Sequence, residues 1–275
     1  MYLLAVMGNL IIAALICGVP QLHTPMYFFL CNLSSVDIVY VSTILPKMLS
    51  IIITEDKTIS YSGCITQLYF FIFCADAENS ILTCMAYDRY VAVCSPLHYS
   101  MIITKKVCFI LTSSYIIFSA MNFLMFTLLI CTLSFCYSCK INHVFCEVRV
   151  LMALSSSDIT SREFVIFAEA ICLVIATFLF ILTSYVRIIS SILTMNSDKG
   201  RRKAFSSCSS HILTVLLFYG PFSFMYLKPE SEHSKEQDKI LSMFYVALVP
   251  MLNPFVYSLR NKDVLGAIRK VTQKK

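Results

Sequence analysis

The chain has 275 residues, of which 58% are hydrophobic and 14% are charged. Soluble domains carry about 25% charged residues, so this composition excludes an ordinary soluble protein and predicts a protein whose surface meets lipid. The net charge of +6 is split among short loops, which argues against a nucleic-acid partner and favours contact with anionic lipid and a cytoplasmic protein.

Apolar stretches of membrane-spanning length recur along the chain. Four runs contain no Asp, Glu, Lys or Arg and reach the roughly 20 residues that a spanning helix needs: 1–36, 107–139, 204–227 and 240–259. Three more segments contain one or two acids: the one that ends near Ile53 contains Asp37, 62–94 contains Asp76 and Glu78, and 162–193 contains Glu169. The runs lack the alternation of barrel strands, so only helices satisfy the backbone in lipid.

These segments predict an all-α membrane protein, a bundle of seven transmembrane helices in one domain over 1–275. The expected helices cover about 1–19, 26–53, 62–94, 105–131, 162–194, 201–227 and 238–260. In the tail, Val264, Ile268 and Val271 fall on one helical face with basic residues around them. This pattern predicts a short amphipathic interfacial helix at 261–273; a solvated basic tail is the alternative.

The most informative motif is MAYDRYVAVCSPLHY at 85–99, with an Asp-Arg-Tyr triplet at the end of an apolar segment. Other short motifs accompany it in order: Gly8-Asn9, LHTPMYFFL at 22–30, LSSVD at 33–37, PKML at 46–49, SGC at 62–64, SY at 184–185, KAFSSCSSH at 203–211, FYG at 218–220 and PMLNPFVYSLRN at 250–261. Together they resemble, over essentially the whole chain, the olfactory receptors among the rhodopsin-like (class A) G-protein-coupled receptors.

The resemblance implies a receptor that binds a small, volatile organic odorant in the outer half of the bundle and activates a heterotrimeric G protein of the stimulatory, olfactory type. It also implies a multi-pass plasma-membrane protein with an extracellular N-terminus and a cytoplasmic C-terminus. The excess of basic residues on the Asp-Arg-Tyr side independently favours that orientation.

The alternatives are a transporter or channel, which would show internal repeats, and a shortened receptor that does not signal. No enzyme and no cofactor are expected, because the five histidines are scattered over both faces.

The resemblance also assigns functional residues. The ligand-binding positions are Phe71, Ile72, Ala75, Asp76, Glu169, Ala170, Leu173, Tyr219, Phe222, Tyr226 and Phe244. The positions for activation and G-protein coupling are Asp88, Arg89, Tyr90, Tyr185, His211, Asn253, Pro254 and Tyr257. A polar midplane cluster comprises Asp37, Glu78 and Asn253, which hold water or sodium in related receptors. Ordinary helix packing is the alternative for each apolar position, and a hydrogen-bonded cluster without an ion is the alternative for the midplane.

Helical geometry supports part of this assignment without the resemblance. A stripe of one helix face runs through Phe71, Ala75, Glu78, Leu82, Met85 and Arg89, and we expect it to face the bundle axis. Asp76 and Glu169 lie at the depth of the expected cavity. An unpaired carboxylate there is costly, so the acids are protonated, or protein or water satisfies them beside a neutral odorant, or the ligand is an amine or another hydrogen-bond donor.

The outer-loop cysteines carry a further expectation. By resemblance, Cys64 and Cys146 form a disulfide between the third helix and the outer loop. Cys136 matches a second family cysteine, but its usual partner would stand at Ser156, so that bridge is expected to be missing or rerouted to Cys139. The spacing of Cys136, Cys139, His143 and Cys146 also fits a zinc site as an alternative.

The start of the chain departs from the family pattern. Family members place a glycosylated tail and two further helical turns before the Gly-Asn pair, whereas seven residues precede Gly8 here. By resemblance the first helix, at about 1–19, is truncated and starts in mid-membrane, which leaves delivery of this chain to the cell surface open.

Overall fold

The structure, a computed structural model, describes residues 1–135, 141, 143–156, 160–226, 232–260 and 262–273. Within these ranges, side chains are described except at 160, 163, 203, 222, 224–226, 232–241, 244, 258–260, 262–263 and 271–273. Cys136 and Cys139 therefore lie outside the described residues, as do the side chains of Phe222, Tyr226 and Phe244.

The described chain is almost entirely helical. Its helices are α1 (Tyr2–Gly18), α2 (Pro25–Thr54), α3 (Tyr61–Cys94), α4 (Tyr99–Ile102), α5 (Lys105–Cys131), α6 (Val148–Ala153), α7 (Thr160–Leu193), α8 (Asp198–Tyr226), α9 (Glu232–Arg260) and α10 (Lys262–Gln273). Over the described ranges, pairing of the β type is limited to an isolated bridge between Phe135 and Ser155. The predicted all-α class is confirmed.

Within the part of the chain that the structure describes, four helices are long and apolar enough to cross a bilayer by length and composition. They are Pro25–Thr54, Tyr61–Cys94, Lys105–Cys131 and Phe164–Leu193, and two shorter apolar helical stretches are Tyr2–Gly18 and Tyr245–Tyr257. α8 covers residues 204–226 of the charge-free run that the sequence analysis identified. Large hydrophobic side chains such as Phe109, Ile117 and Phe164 are exposed on the outer surface, as expected where lipid is the solvent.

Local sequence sets the ends of the central helices. Pro25 occupies the first turn of α2, where its missing N–H leaves no hydrogen bond unmade. Ser60 begins α3 by accepting a hydrogen bond from the Gly63 N–H, and Thr104 begins α5 by accepting one from the Val107 N–H. Such N-cap bonds satisfy backbone donors that have no partner inside the helix.

Close packing of α1 against α9 explains two of the motifs together. Pro254 has no N–H, so the carbonyl oxygen of Pro250 lacks its usual helical donor. The side-chain Nδ2 of Asn9 donates to that oxygen at 2.9 Å. The adjacent Gly8 permits the approach, since a Cβ there would lie 2.9 Å from Cγ of Pro254. The Gly-Asn and Asn-Pro motifs therefore form one inter-helix contact.

The outer loop is tied to the top of α3. Cys64 and Cys146 form the predicted disulfide, with 5.5 Å between their Cα atoms. Gln67, one turn further along α3, accepts a hydrogen bond from the Cys146 N–H at 3.0 Å and donates one to the Thr43 carbonyl at 3.2 Å. The buried Gln67 side chain thus fixes the loop to both α2 and α3. Since the sulfur of Cys146 is bonded to Cys64, it is not free to bind zinc.

At the opposite end, α10 lies against the start of the bundle. Val264 and Ala267 are buried, Ile268 packs against the same core, and Lys270 Nζ donates to Gln21 Oε1 at 2.9 Å. The predicted amphipathic face is present at Val264 and Ile268, while the side chain of Val271 lies outside the described residues.

Candidate functional site

A cavity of about 150 Å³ lies in the bundle beneath the outer loop. Its walls come from α3, α5, α7, α8 and α9, and the segment 145–149 covers it. Six of the predicted ligand positions line it: Phe71, Ile72, Ala75, Asp76, Ala170 and Leu173. Helical spacing on α3 and α7 accounts for their convergence, since positions three and four apart share a face.

Two predicted ligand positions have described side chains that do not line the cavity. Glu169 precedes Ala170, and one residue turns a helix by about 100°, so its side chain faces α5, where it interacts with the Asn122 amide. Tyr219 is buried behind the cavity wall, at 5% exposure.

The cavity also contains residues that sequence reasoning missed. They include Asn79 on α3, Asn122 and Phe126 on α5, Phe145, Glu147 and Arg149 from the outer loop and the start of α6, and Ser242, Tyr245 and Val246 on α9. Asn79 continues the spacing of Ala75 and Asp76, so the helical pattern could have identified it. No comparable signal in the sequence marks the loop residues.

Asn79 links the cavity to α7 and α8. Its Oδ1 accepts hydrogen bonds from the hydroxyls of Tyr219, at 2.5 Å, and Thr177, at 3.1 Å. Because Asn79 also lines the cavity, a ligand there would contact a side chain that holds α8.

The midplane residues predicted from the resemblance do meet. Asn253 Nδ2 donates to Asp37 Oδ2 at 3.0 Å and to Glu78 Oε1 at 3.5 Å, and all three residues are fully buried. Among the described residues, Asp37 Oδ1, Glu78 Oε2 and Asn253 Oδ1 accept no hydrogen bond from a third side chain, and the Asp37 and Glu78 carboxyl groups lie within hydrogen-bonding reach of each other. Three oxygen atoms from two acids and an amide suit a hard cation such as sodium, and they also suit a proton shared by the acids.

Besides the contact between Asn79 and Tyr219, a second contact joins α3 to α8, closer to the end of α3 that carries Arg89. His211 is buried, and its Nε2 lies 3.0 Å from the Leu82 carbonyl while its Nδ1 lies 2.6 Å from the Tyr185 hydroxyl. A carbonyl only accepts, so Nε2 carries the proton and Nδ1 accepts from Tyr185. The two rings also stack, with centroids 5.7 Å apart. On α9, the Tyr257 hydroxyl donates a hydrogen bond to the Met85 sulfur on α3 at 3.9 Å.

A third contact lies at the Asp-Arg-Tyr triplet. Arg89 donates from Nε, at 3.0 Å, and from Nη2, at 2.5 Å, to Asp88 Oδ2, and from Nη1 to the Ser207 hydroxyl on α8 at 2.6 Å. The Tyr99 hydroxyl donates to the other Asp88 oxygen at 2.6 Å. Burial and the nearby Asp88 carboxylate raise the pKa of Tyr99, so it stays protonated and able to donate. Tyr90 is half-buried beside this group.

Comparison with known proteins agrees with this architecture. The family model described as olfactory receptor matches residues 1–275. Olfactory receptor 5AR1 of Mus musculus is 48% identical over 274 residues, covering 100% of this chain and 88% of that protein. Olfactory receptor 1F1 of Homo sapiens is 47% identical over 271 residues, covering 98% of this chain and 87% of that protein. This chain, with its helical bundle and its Asp-Arg-Tyr motif, belongs to the olfactory receptor family.

Proposed function

We propose that this chain is an odorant receptor that binds a small, volatile organic ligand in the cavity beneath the outer loop and activates a heterotrimeric G protein of the stimulatory, olfactory type. As an olfactory receptor it is a G-protein-coupled receptor and not an enzyme. The proposal rests on the connection of the cavity beneath the outer loop to Arg89 through successive contacts between α3 and α8.

The proposed membrane arrangement has seven crossings, by α1, α2, α3, α5, α7, α8 and α9, within a single domain. The end of α3 with Arg89 faces the cytoplasm, and the N-terminus is extracellular. The excess of Lys and Arg on the Arg89 side supports this orientation, and the disulfide between Cys64 and Cys146 supports an oxidising environment at the opposite end.

The proposed ligand contacts are the predicted positions that line the cavity, together with Asn79 and Asn122. The wall is mainly apolar, with few polar groups, which is the composition expected of a site for a small organic molecule. Glu169 and Tyr219 take indirect roles, because each reaches the cavity through a neighbouring amide. Phe222, Tyr226 and Phe244 remain predictions from the resemblance.

The proposed mechanism is a population shift between two arrangements of α8. Three contacts hold α8 on α3: Tyr219 with Asn79, His211 with the Leu82 carbonyl, and Ser207 with Arg89. A ligand that prefers a displaced Asn79 favours the state in which these contacts open and α8 moves outward. Arg89 is then free to contact the G protein. In the same shift α7 and α9 change their packing against α8, at Tyr185 on α7 and at Asn253, Pro254 and Tyr257 on α9.

The test uses the full chain in lipid nanodiscs with a purified stimulatory G protein. An odorant panel should contain at least one ligand that accelerates nucleotide exchange. Arg89→Ala should abolish that acceleration while ligand binding persists, because the arginine is assigned to the partner and not to the cavity. Ala75→Phe should abolish both, because the added ring fills the cavity. Normal signalling by Arg89→Ala would refute the coupling assignment.

A further inference from the structure

The polar side chains of the cavity are not equivalent, because most already have partners. Asn79 accepts hydrogen bonds from Tyr219 and Thr177. Glu147 pairs with His143 at 3.4 Å, and the Arg149 guanidinium lies 4.7 Å from the centre of the Phe167 ring. These groups are held by the protein itself. Asp76 and Asn122, which face each other across α3 and α5, are different.

Asn122 satisfies only half of the Asp76 carboxylate. Its Nδ2 donates to Asp76 Oδ2 at 3.0 Å. Oδ1 of Asp76 has no hydrogen bond from any described residue, although Asp76 lines the cavity. One oxygen of the Asp76 carboxylate is thus available to accept a hydrogen bond in a wall that is otherwise mainly apolar. A ligand in the cavity would bind this oxygen.

Asp76 forms no ion pair with the described side chains. The ion pairs among the described side chains involve Asp88, Glu147 and Asp198, and none involves Asp76 or Glu169. Glu169 is close enough for its charge to act on Asp76, and its Oε2 is buried without a hydrogen-bond partner. Asp76 at the wall and Glu169 behind it are therefore joined by the Asn122 amide, and neither forms an ion pair with a described side chain. The Arg149 guanidinium lines the same cavity but lies over the Phe167 ring. Acids without an ion-pair partner are costly inside a membrane protein.

A cationic donor would remove this cost, and a neutral acceptor would not. A protonated amine has only donors, so it can bind Asp76 Oδ1 by a charge-assisted hydrogen bond. An aldehyde, ketone or ester presents only acceptors to that oxygen and repels it. An alcohol can donate one neutral hydrogen bond, which is weaker by roughly half. The ranking that the site predicts is therefore amine, then alcohol, then hydrocarbon.

The size of the cavity limits the rest of the ligand. In another protein, an apolar cavity of about 150 Å³ binds benzene, so this cavity suits a single ring or a short branched chain. Phe71, Ile72, Phe126 and Ile166 supply apolar walls for such a body.

We propose that this receptor is selective for small amines with an apolar body. Asp76 would accept a hydrogen bond from the ammonium group, and Asn122 would position the Asp76 carboxylate. This inference rests on the proposed function, since it assigns a ligand class to the same cavity.

The test compares three molecules of one shape: benzylamine, benzyl alcohol and toluene. Binding to the full chain in nanodiscs is measured by ligand-induced stabilisation, and activation by nucleotide exchange on the stimulatory G protein. Benzylamine should bind more tightly than benzyl alcohol by about tenfold or more, because a charged hydrogen bond replaces a neutral one. Toluene should bind least.

Asp76→Asn should remove the preference of benzylamine over benzyl alcohol and leave toluene unchanged. The variant should fold, because its amide oxygen can still accept from Asn122. Glu147→Gln is the matched control, since it neutralises another acid of the same cavity that already pairs with His143; the ratio of benzylamine to benzyl alcohol affinity should change by less than about threefold. Asn122→Leu should weaken benzylamine more than toluene.

The outcomes separate this inference from the proposed function. If a broad panel of neutral odorants stimulates exchange but benzylamine has no advantage, or if Asp76→Asn leaves that advantage intact, the receptor assignment stands and the amine proposal is refuted. If no ligand of any class stimulates exchange while benzylamine binds in an Asp76-dependent way, the amine site stands and the proposed signalling is refuted.

Discussion

Arg89 on α3 donates a hydrogen bond of 2.6 Å from Nη1 to the hydroxyl of Ser207 on α8, while its Nε and Nη2 are held by Asp88. The arginine thus joins the two helices whose separation is proposed to create the G-protein site. Asp88 and Arg89 belong to the same helix, so the hydrogen bond to Ser207 is the part of this contact that connects α3 to α8.

Removing the Ser207 hydroxyl should raise activity in the absence of ligand. A hydrogen bond to a charged group contributes about 1.5–3 kcal/mol, so Ser207→Ala should increase basal nucleotide exchange by roughly tenfold. Ser209→Ala is the control, because the Ser209 hydroxyl donates within its own helix, to the Ser206 carbonyl. Equal basal rates in the two variants would show that Ser207 does not restrain α8.

Removing the Tyr219 hydroxyl should uncouple ligand binding from activation. Tyr219→Phe keeps the ring but loses the hydroxyl's contacts with Asn79 and Thr177, of which the hydrogen bond to Asn79 contributes about 1 kcal/mol. Ligand affinity should change little, because the ring does not line the cavity, while the concentration dependence of exchange should shift by roughly fivefold. Tyr87→Phe, which removes a hydroxyl from α3 outside the cavity, should change neither measurement.

Sodium should stabilise the receptor through the midplane cluster. Replacing potassium by sodium at constant ionic strength should raise the thermal unfolding midpoint of the wild-type chain, because sodium can bind the clustered oxygens of Asp37, Glu78 and Asn253. Asp37→Asn should lose this response. An equal midpoint in both salts would favour the alternative, in which the two acids share a proton and hold no ion.

Breaking the outer disulfide should destabilise the receptor. Cys64→Ser or Cys146→Ser should cost about 2–5 kcal/mol, and Cys136→Ser should be milder, since its family partner is replaced by Ser156. Unfolding in detergent measures the difference, and mass spectrometry of the unreduced protein identifies the pairing. A peptide that joins Cys64 to Cys136 would contradict the scheme.

Asn9 should matter for stability although no ligand or partner is assigned to it. Asn9→Leu leaves the buried Pro250 carbonyl without a donor, which should cost about 1–3 kcal/mol of unfolding free energy. Asn32→Leu is the control, since the Asn32 amide donates to the Phe28 carbonyl of its own helix, at an exposed position. If both variants unfold at the same temperature, the contact between α1 and α9 carries no net stability.

The sequence by itself determined the all-α membrane class, because long apolar runs can satisfy their backbone only as helices in lipid. It also determined, through its motifs, which residues would meet at the midplane and at the Asp-Arg-Tyr triplet. Helical periodicity places Phe71 and Ala75 on the face that points to the bundle axis, whereas the resemblance to the family supplied Asp76 and the other predicted cavity positions. The disulfide was predictable only from the family pattern.

Only the tertiary structure decided which groups complete each contact. The partner of Arg89 on α8, the amide that holds Asp76 and the carbonyl that Asn9 satisfies each depend on the rotation and depth of a second helix, and periodicity within one helix does not fix these. The same holds for Glu169, whose depth was predictable but whose partner, Asn122, was not. A residue's face follows from its own helix, whereas its partner follows from how two helices pack.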